Sequence, residues 1–568
     1  MSYRPPIDDI LFTLTRVAVP AGASLPMEPD DLRTILEEAG RFCAERIAPL
    51  DRASDLVGAT WEDGRVTTPP GFREAYADWI AGGWNAVAQP EAFGGMGLPT
   101  SVGTATMEML TAACMALSTL PVLSQGAADA IEAHGSEELK ALYLPKLVSG
   151  EWTGTMNLTE PQAGSDVGLL RTRAEPLGDG RYHITGSKIF ITFGAHDLAE
   201  NIIHLVLARL PDAPPGVKGI SLFLVPKRFV SADRTLGAEN DLRCAGIEHK
   251  LGIRGSPTCT MAFGDQGGAV GWLVGEENKG LACMFTMMNK ARLATGLQGV
   301  AIAEKATQKA RAYALERRQG RADGFPGAAP IAAHPDVAKT LARMAALTAA
   351  ARAIAYAAAA AIDLGVAGEV RAGLLTPVVK AFATDIGCEV ASLGIQVHGG
   401  MGFIEETGAA QLLRDIRIAP IYEGTNAIQA IDLVMRKAPR AGGAEVARLI
   451  GECRADVAAA DARIGASAAI LGSALAALET ATARLIDPAT EDWSRLVVAQ
   501  TYLRLFGLAL GGALLARGAA AAGDAEAHWI RLARIYAEDI AAEAGGLCAQ
   551  ILSPRRDPAD YRALAGIG

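Results

Sequence analysis

One island of short, β-branched runs spanning residues 151–275 interrupts a chain that otherwise reads as helix on both sides, and this order restricts the fold more than any other feature. Strands gathered between helical stretches, instead of alternating with them one at a time, imply an α+β chain and not a doubly wound parallel sheet. Inside the island, residues 181–185, 188–192, 203–208, 219–225 and 259–263 favour extended backbone, and Gly186-Ser187 predicts a tight turn between the first two. Ahead of it, Leu32, Ile35, Leu36, Ala39 and Phe42 recur on one helix face, as do Tyr76, Trp79 and Ile80. With loops at Gly82-Gly83 and 91–99 and helices near 107–120 and 137–147, residues 1–150 read as a helical domain. Behind the island, residues 284–318, 337–364 and 377–397 predict long helices broken by a Gly/Pro/Ala loop at 320–335, a bundle assigned to 276–439. Residues 439–443 read as a linker to a further alanine-rich helical domain, 440–568. Four domains suit 568 residues, too many for one core.

Several classes of function drop out early. The net charge of −10 gives no footprint for general nucleic-acid binding. No G-x-G-x-x-G follows a strand and no Walker-type loop occurs, which removes support for nicotinamide and P-loop chemistry. The eight cysteines form no CxxC pair and the histidines form no HExxH, so no metal site is expected and a reducing compartment fits best. The N-terminus lacks the basic-then-apolar layout of a signal peptide. The apolar run between Arg504 and Arg517 reads as too short to span a bilayer, its glycines suiting close helix packing instead. A cytoplasmic protein is expected.

Two stretches carry chemistry. In residues 420–426, Pro-Ile-Tyr-Glu-Gly-Thr-Asn, Glu423 stands beside Ile418, Ala419, Pro420 and Ile421 and before a glycine that allows a ligand close to the backbone. Burial among those neighbours would raise its pKa and suit a general base. The residues alone equally allow an ordinary carboxylate at a helix start capped by Thr425 or Asn426. Far upstream, MNLTEPQAGSDV (156–167) offers hydroxyls and open backbone in Thr159, Gly164 and Ser165 at a strand end, where a plain capped turn is the competing reading.

Together with GSKIFITFGAHD (186–197), GIEHKLGIRGSPTC (246–259), the helix 288–321 and the run 396–429, these motifs stand in the order of an acyl-CoA dehydrogenase, and residues 30–437 resemble that family. The resemblance implies a helical domain, a β domain and a helical bundle, with FAD between the last two. It implies that Met156, Leu158 and Thr159 line the flavin, that Gly164 and Ser165 meet the cofactor or the CoA, and that Phe190 and Thr192 cover the ring's other side. Phe190 stands where a tryptophan is common. Arg317 resembles an arginine reaching the FAD of a neighbouring subunit, although Gln319-Gly320 departs from the usual pattern; an exposed helix-end cation is the alternative. Gln396, Gly399 and Gly400 resemble a further FAD segment, or else a helix C-terminal turn. Thr425 resembles an adenine contact, whereas Ala427 replaces a longer polar residue. Ser165, Asn289, Arg292, Tyr422 and Gly424 fall on the substrate side. Asn289 replaces an aspartate, and a solvated Lys290/Arg292 face also fits that pair.

What the resemblance implies for the reaction follows from the weak acidity of a thioester α-proton. Glu423 removes it while the β-carbon gives hydride to flavin N5, and the carbonyl is polarised by the Glu423 N–H and a ribityl hydroxyl. The product is a trans-2-enoyl-CoA, with an electron-transferring flavoprotein as acceptor and a homodimer or homotetramer as the assembly. The Arg4-Pro5-Pro6-Ile7-Asp8-Asp9 start, the 320–335 loop and the extra C-terminal domain resemble a larger bacterial subgroup acting on medium, long or methylthio-substituted acyl-CoAs in fatty acid β-oxidation or related routes. An acyl-CoA oxidase and a DNA-binding flavoprotein of the alkylation-response kind share parts of this pattern, but the C-terminal segment mixes its arginines with many carboxylates.

Overall fold

The computed structural model describes residues 3–19, 25, 27–553 and 557–567; Met1 and Ser2, part of the N-terminal reading above, lie outside them. The chain is α+β, with N-terminal helices, a middle sheet, and a helical C-terminal half. It divides into two compact units, one built on Glu37–Ala294 and one on Pro6–Leu36 with Thr295–Gly568.

In the first unit, the helices Thr100–Ala113 and Met115–His134 bury most of their residues, as helices packed on several sides must. The helix Glu137–Ser149 is opened by Ser136, whose hydroxyl accepts the Leu139 N–H, and closed by Gly150 at φ 89°. The sheet has eight strands. Seven follow the order Leu242–Ile247, Thr258–Phe263, Arg181–Thr192, Ala269–Val274, Ser221–Pro226, Ile202–Ala208, Thr153–Asn157, and Arg173–Pro176 also pairs with Arg181–Thr192. Only Thr153–Asn157 runs parallel to its neighbour. Ile202–Ala208 and Ser221–Pro226 are buried at every position, which explains their unbroken apolar sequence. Leu205, Leu207, Leu222 and Leu224 share a core with Ile131, Leu144, Leu147, Met284 and Met287, whereas Val206, Phe223 and Val225 join Ile184, Ile191, Met261 and Phe263.

The expected turn at Gly186-Ser187 is absent. Arg181–Thr192 is one continuous strand, and the glycine serves a close approach: a Cβ at Gly186 would lie 2.5 Å from Thr172 Oγ1.

The second unit is helical. Pro335–Asp363 packs along Glu369–His398. The sequence reading started that second helix at Pro377, but it begins at Glu369 and carries Pro377 inside. Burial of Leu374, Leu375, Val378 and Val379 outweighs the one backbone hydrogen bond that the proline forgoes. Beyond residues 440–443, where Ala441, Gly442 and Gly443 all take left-handed φ, five longer helices follow, from Ala444–Ile464 to Ala544–Leu552. The longest, Ala499–Ala521, packs closely through its glycines. A Cβ at Gly507 would meet Phe382 at 2.3 Å, and one at Gly518 would meet Trp529 at 2.5 Å. Arg343 adds a polar tie, bonding Glu389 (2.9 Å), the Asp539 carbonyl (3.0 Å) and Glu543 (3.2 Å).

The reading of 504–517 as too short for a membrane needs correction, because the helix runs on past both arginines. Among the described residues, Pro335–Asp363, Ser467–Ile486 and Ala499–Ala521 are long and apolar enough to cross a bilayer by length and composition. In the first and third, 83% of the apolar window is buried within the protein.

Two features that sequence marked as departures meet here. The N-terminal helix Ile7–Phe12 and the following turn dock onto the C-terminal helices: Phe12 packs on Trp529 (4.9 Å), Arg517 donates to the Val17 carbonyl (2.8 Å), and His528 pairs with Asp9 (2.8 Å). The Asp9 hydrogen bond raises the His528 pKa above its ordinary 6.5. This contribution is therefore full below pH 6.5 and is lost as pH rises through the raised value. Relative to intrinsic rates, hydrogen exchange at residues 7–12 is expected to accelerate across that window in the wild type and to be pH-independent in His528→Ala; the same pH response in both would count against the tie.

Candidate active site

The second unit supplies the candidate base. Residues 417–425 turn between the helices Ala409–Ile416 and Asn426–Asp432, closed by Ile421 N–H to Ile418 C=O (2.8 Å) and Asn426 N–H to Pro420 C=O (3.0 Å). Glu423 and Gly424 are both left-handed, at φ 57° and 82°. A glutamate holds that conformation only where its surroundings over-determine it. The side-chain amide of buried Gln429 donates to the Glu423 and Gly424 carbonyls (3.3 and 3.4 Å). Thr425 caps the helix, accepting Ile428 N–H. The Tyr422 hydroxyl donates to Gln298, and burial, with the Glu423 carboxylate nearby, raises its pKa above the usual tyrosine range.

The expected burial of Glu423 is only partly present. Glu423 is half-buried, and of its four apolar neighbours Ala419 alone is buried while Ile421 is exposed. A cleft of about 320 Å³ lies behind the turn, lined by Asp385, Arg417, Pro420, Thr425, Asn426 and Gln500 among others.

Further candidates lie near the ends of two bundle helices. Tyr313 stacks on His398 at 4.5 Å, which joins the end of Gly280–Glu316 to the end of Glu369–His398. Arg317 follows Tyr313 by four residues in the chain, and Gln396, Gly399 and Gly400 flank His398. Arg317 is exposed and bonds Gln319 (3.3 Å). Gly399 has φ 60°, and a Cβ at Gly399 or Gly400 would meet nothing within 4 Å.

In the first unit, Met156 closes on the core and Leu158 packs against it, so neither is exposed as Ser165 and Phe190 are. The Thr159 carbonyl accepts Ile189 N–H (2.9 Å), and the Thr192 carbonyl accepts the Thr155 hydroxyl (2.9 Å). Phe190 is 59% exposed at φ 59°, a bare ring held in a conformation that aromatic residues seldom adopt. Nothing lies within 4 Å of a Cβ at Gly164. An open glycine backbone, hydroxyls and an uncovered aromatic face in this unit suit a flavin ring, and in the second unit, taken by itself, the open glycines at 399 and 400 suit a phosphate group.

Sequence reading missed what ties Leu158 and Glu160 to the strand Arg181–Thr192. Lys188, wholly buried, donates to Glu160 (2.8 Å) and to the Leu158 carbonyl (3.1 Å). Glu160 also accepts from Thr172 and from the Arg171 N–H. Burial would raise the Glu160 pKa, but the Lys188 charge and these hydrogen bonds hold it near 2. Burial pulls Lys188 down to about 8. A lone lysine at an inward strand position was the available signal. In the same unit Arg292 is buried, bonds Asn289 (3.4 Å) and lies over Phe285 (5.6 Å), while Lys290 pairs with Asp129; the solvated-face reading of Arg292 does not hold.

Comparison with known proteins bears on the whole chain. Residues 29–151, 155–266 and 278–438 match the models for the acyl-CoA dehydrogenase N-terminal, middle and C-terminal domains, and 449–561 matches one described as acetyl-CoA dehydrogenase C-terminal like. The chain is 47% identical over 572 residues to 3-methylmercaptopropionyl-CoA dehydrogenase of Ruegeria pomeroyi, covering 96% of this chain and 97% of that one. In fold it is similar to ACDH-11 of Caenorhabditis elegans, solved with C11-CoA (TM-score 0.81, 21% identity, 99% of this chain and 95% of that one). It is also similar to an acyl-CoA dehydrogenase of Bacillus anthracis solved with FAD (TM-score 0.74, 20% identity, 100% and 94%).

Proposed function

The chain belongs to the acyl-CoA dehydrogenase family of oxidoreductases, and from that premise we propose that it converts a saturated acyl-CoA thioester into the trans-2-enoyl-CoA with FAD as cofactor. The observation that carries this reading is the strained, tightly held presentation of Glu423 beside Gly424. Glu423 takes the α-proton onto its carboxylate, and the electron pair of that C–H bond becomes the new double bond. Its own N–H polarises the thioester carbonyl. Since Glu423 is half-buried before the ligand arrives, a bound acyl chain adds the desolvation that raises its basicity. FAD, when bound, supplies the two-electron acceptor for the hydride that leaves the β-carbon.

Thr159, Gly164, Ser165, Phe190 and Thr192, with the backbone at Met156 and Leu158, are assigned to the flavin. Arg317, Gln396, Gly399, Gly400 and Thr425 are assigned to its adenosine diphosphate, Arg317 acting on the cofactor of a second subunit in a homodimer or homotetramer. Ser165, Asn289, Arg292, Tyr422 and Gly424 are assigned to the thioester and CoA. We take the acceptor to be an electron-transferring flavoprotein, the compartment to be the cytoplasm, and the domain bounds to be 1–150, 151–275, 276–439 and 440–568. The relative from Ruegeria pomeroyi moves the methylthio-propionyl thioester ahead of medium and long chains. Pairing of the C-terminal arginines, Arg448 with Glu445 and Glu452, Arg454 with Glu479 and Arg517 with Asp456, weighs against a nucleic-acid role.

The test is anaerobic mixing of the flavin-loaded protein with acyl-CoAs of graded length and with 3-methylthiopropionyl-CoA. Fastest bleaching of the flavin is expected with the methylthio thioester. A yellow protein that no acyl-CoA bleaches would overturn the reading, and rapid peroxide formation in air would replace the dehydrogenase with an oxidase.

A further inference from the structure

We propose that Lys380 and Asn426 are positioning residues for proton abstraction, fixing from the helix Glu369–His398 the turn that holds Glu423 in its left-handed conformation. The inference rests on Glu423 being the base. Lys380 is wholly buried, a placement that an ammonium tolerates only with good partners. Its Nζ donates to Asn426 Oδ1 at 2.9 Å. Asn426 in turn donates from Nδ2 to Asp385 Oδ1 (2.8 Å), Thr384 Oγ1 (3.0 Å) and the Ala381 carbonyl (3.2 Å). The amide thus spends its donors and its acceptor on residues 380–385 of one helix.

Asn426 follows Glu423 by three residues and opens the helix on which Gln429 grips the Glu423 and Gly424 carbonyls. Both ends of the strained pair are therefore referred to the same rigid element. Such anchoring matters because the cleft of about 320 Å³ behind the turn gives it room to relax once the contacts are cut. A carboxylate displaced by about an ångström loses roughly two orders of magnitude in rate while binding is unaffected.

The experiment compares full-length, FAD-loaded wild type, Asn426→Ala, Lys380→Met and Glu423→Gln. It reads the flavin-reduction rate at saturating acyl-CoA, the half-saturating concentration, the α-deuterium isotope effect and the FAD content. Asn426→Ala is expected to slow reduction about hundredfold and Lys380→Met about tenfold. In both, half-saturation stays within about threefold and the α-deuterium effect rises, because proton abstraction becomes more fully rate-limiting. A structural role alone would lower FAD content or move half-saturation with the isotope effect unchanged, and that result overturns the proposal. So does reduction within about threefold of wild type in Asn426→Ala while Glu423→Gln is inactive. Wild-type reduction by Glu423→Gln would instead remove the base assignment itself. Should Asn426→Ala not fold, Lys380→Met carries the test, and failure of both to fold marks the pair as a folding determinant and overturns the positioning role.

Discussion

Glu423→Gln is expected to retain FAD and to bind acyl-CoA with little change, yet to reduce its flavin about 10²–10⁴-fold more slowly than wild type. The amide has the size of the carboxylate and leaves intact the backbone contacts that hold the turn, Gln429 to the Glu423 and Gly424 carbonyls and Asn426 N–H to Pro420. It cannot take a proton. Loss of rate without loss of binding is the signature of an interaction made only in the transition state. Stopped-flow bleaching under anaerobic conditions measures the rate, and the spectral shift on adding a non-oxidisable thioether analogue of acyl-CoA measures the binding. Reduction within about tenfold of wild type would move the base to another residue.

Glu160→Gln is expected to cost about 3–5 kcal/mol of stability, because it leaves Lys188 charged, or forces it neutral, at a site with no access to water. The side chains of Lys188 and Glu160 are 0% and 4% exposed, so solvent screening offers little relief. The double variant Glu160→Gln with Lys188→Met should recover more than half of the loss, since removing both charges removes the unpaired one. Chemical denaturation of the four proteins forms the cycle. The pH response has a definite sign. The Glu160 pKa is depressed to about 2 from its ordinary 4.5, so its contribution is present above pH 4.5 and drains away as pH falls toward 2. Wild type should lose stability over that interval and the double variant much less. Because Lys188 also bonds the Leu158 carbonyl, Glu160→Gln is expected to lose FAD before it unfolds.

The α+β order and the helical C-terminal half were legible because they rest on local patterns: unbroken apolar strands, long alanine-rich helices, and a Gly-rich junction at 442–443. The motif around Glu423 was legible because its residues are contiguous. What held it in place was not. Asn426 had a local role as a helix cap, but the cap is Thr425, and the partner of Asn426, Lys380, lies 46 residues upstream. Nothing in the order of residues announces a contact made by folding one helix against another. Gly186 misled for a related reason. Its φ of 156° and its closeness to Thr172 belong to a strand squeezed by a neighbour, whereas the same dipeptide alone favours a turn. Pro377 misled because the helix rule weighs one lost hydrogen bond and not the burial on either side. The positive φ of Phe190 and Glu423 is likewise invisible in sequence, because neither residue type favours it.

The central claim concerns the fate of two hydrogens, and the most direct measurement is an anaerobic single turnover with acyl-CoA deuterated at the α- or the β-carbon. The account predicts one trans-2-enoyl-CoA per flavin bleached, with the α-deuterium passing to solvent by way of Glu423, the β-deuterium retained with the reduced cofactor, and neither lost in Glu423→Gln. Bleaching without a new double bond between those carbons, or undiminished α-deuterium loss in Glu423→Gln, would contradict it.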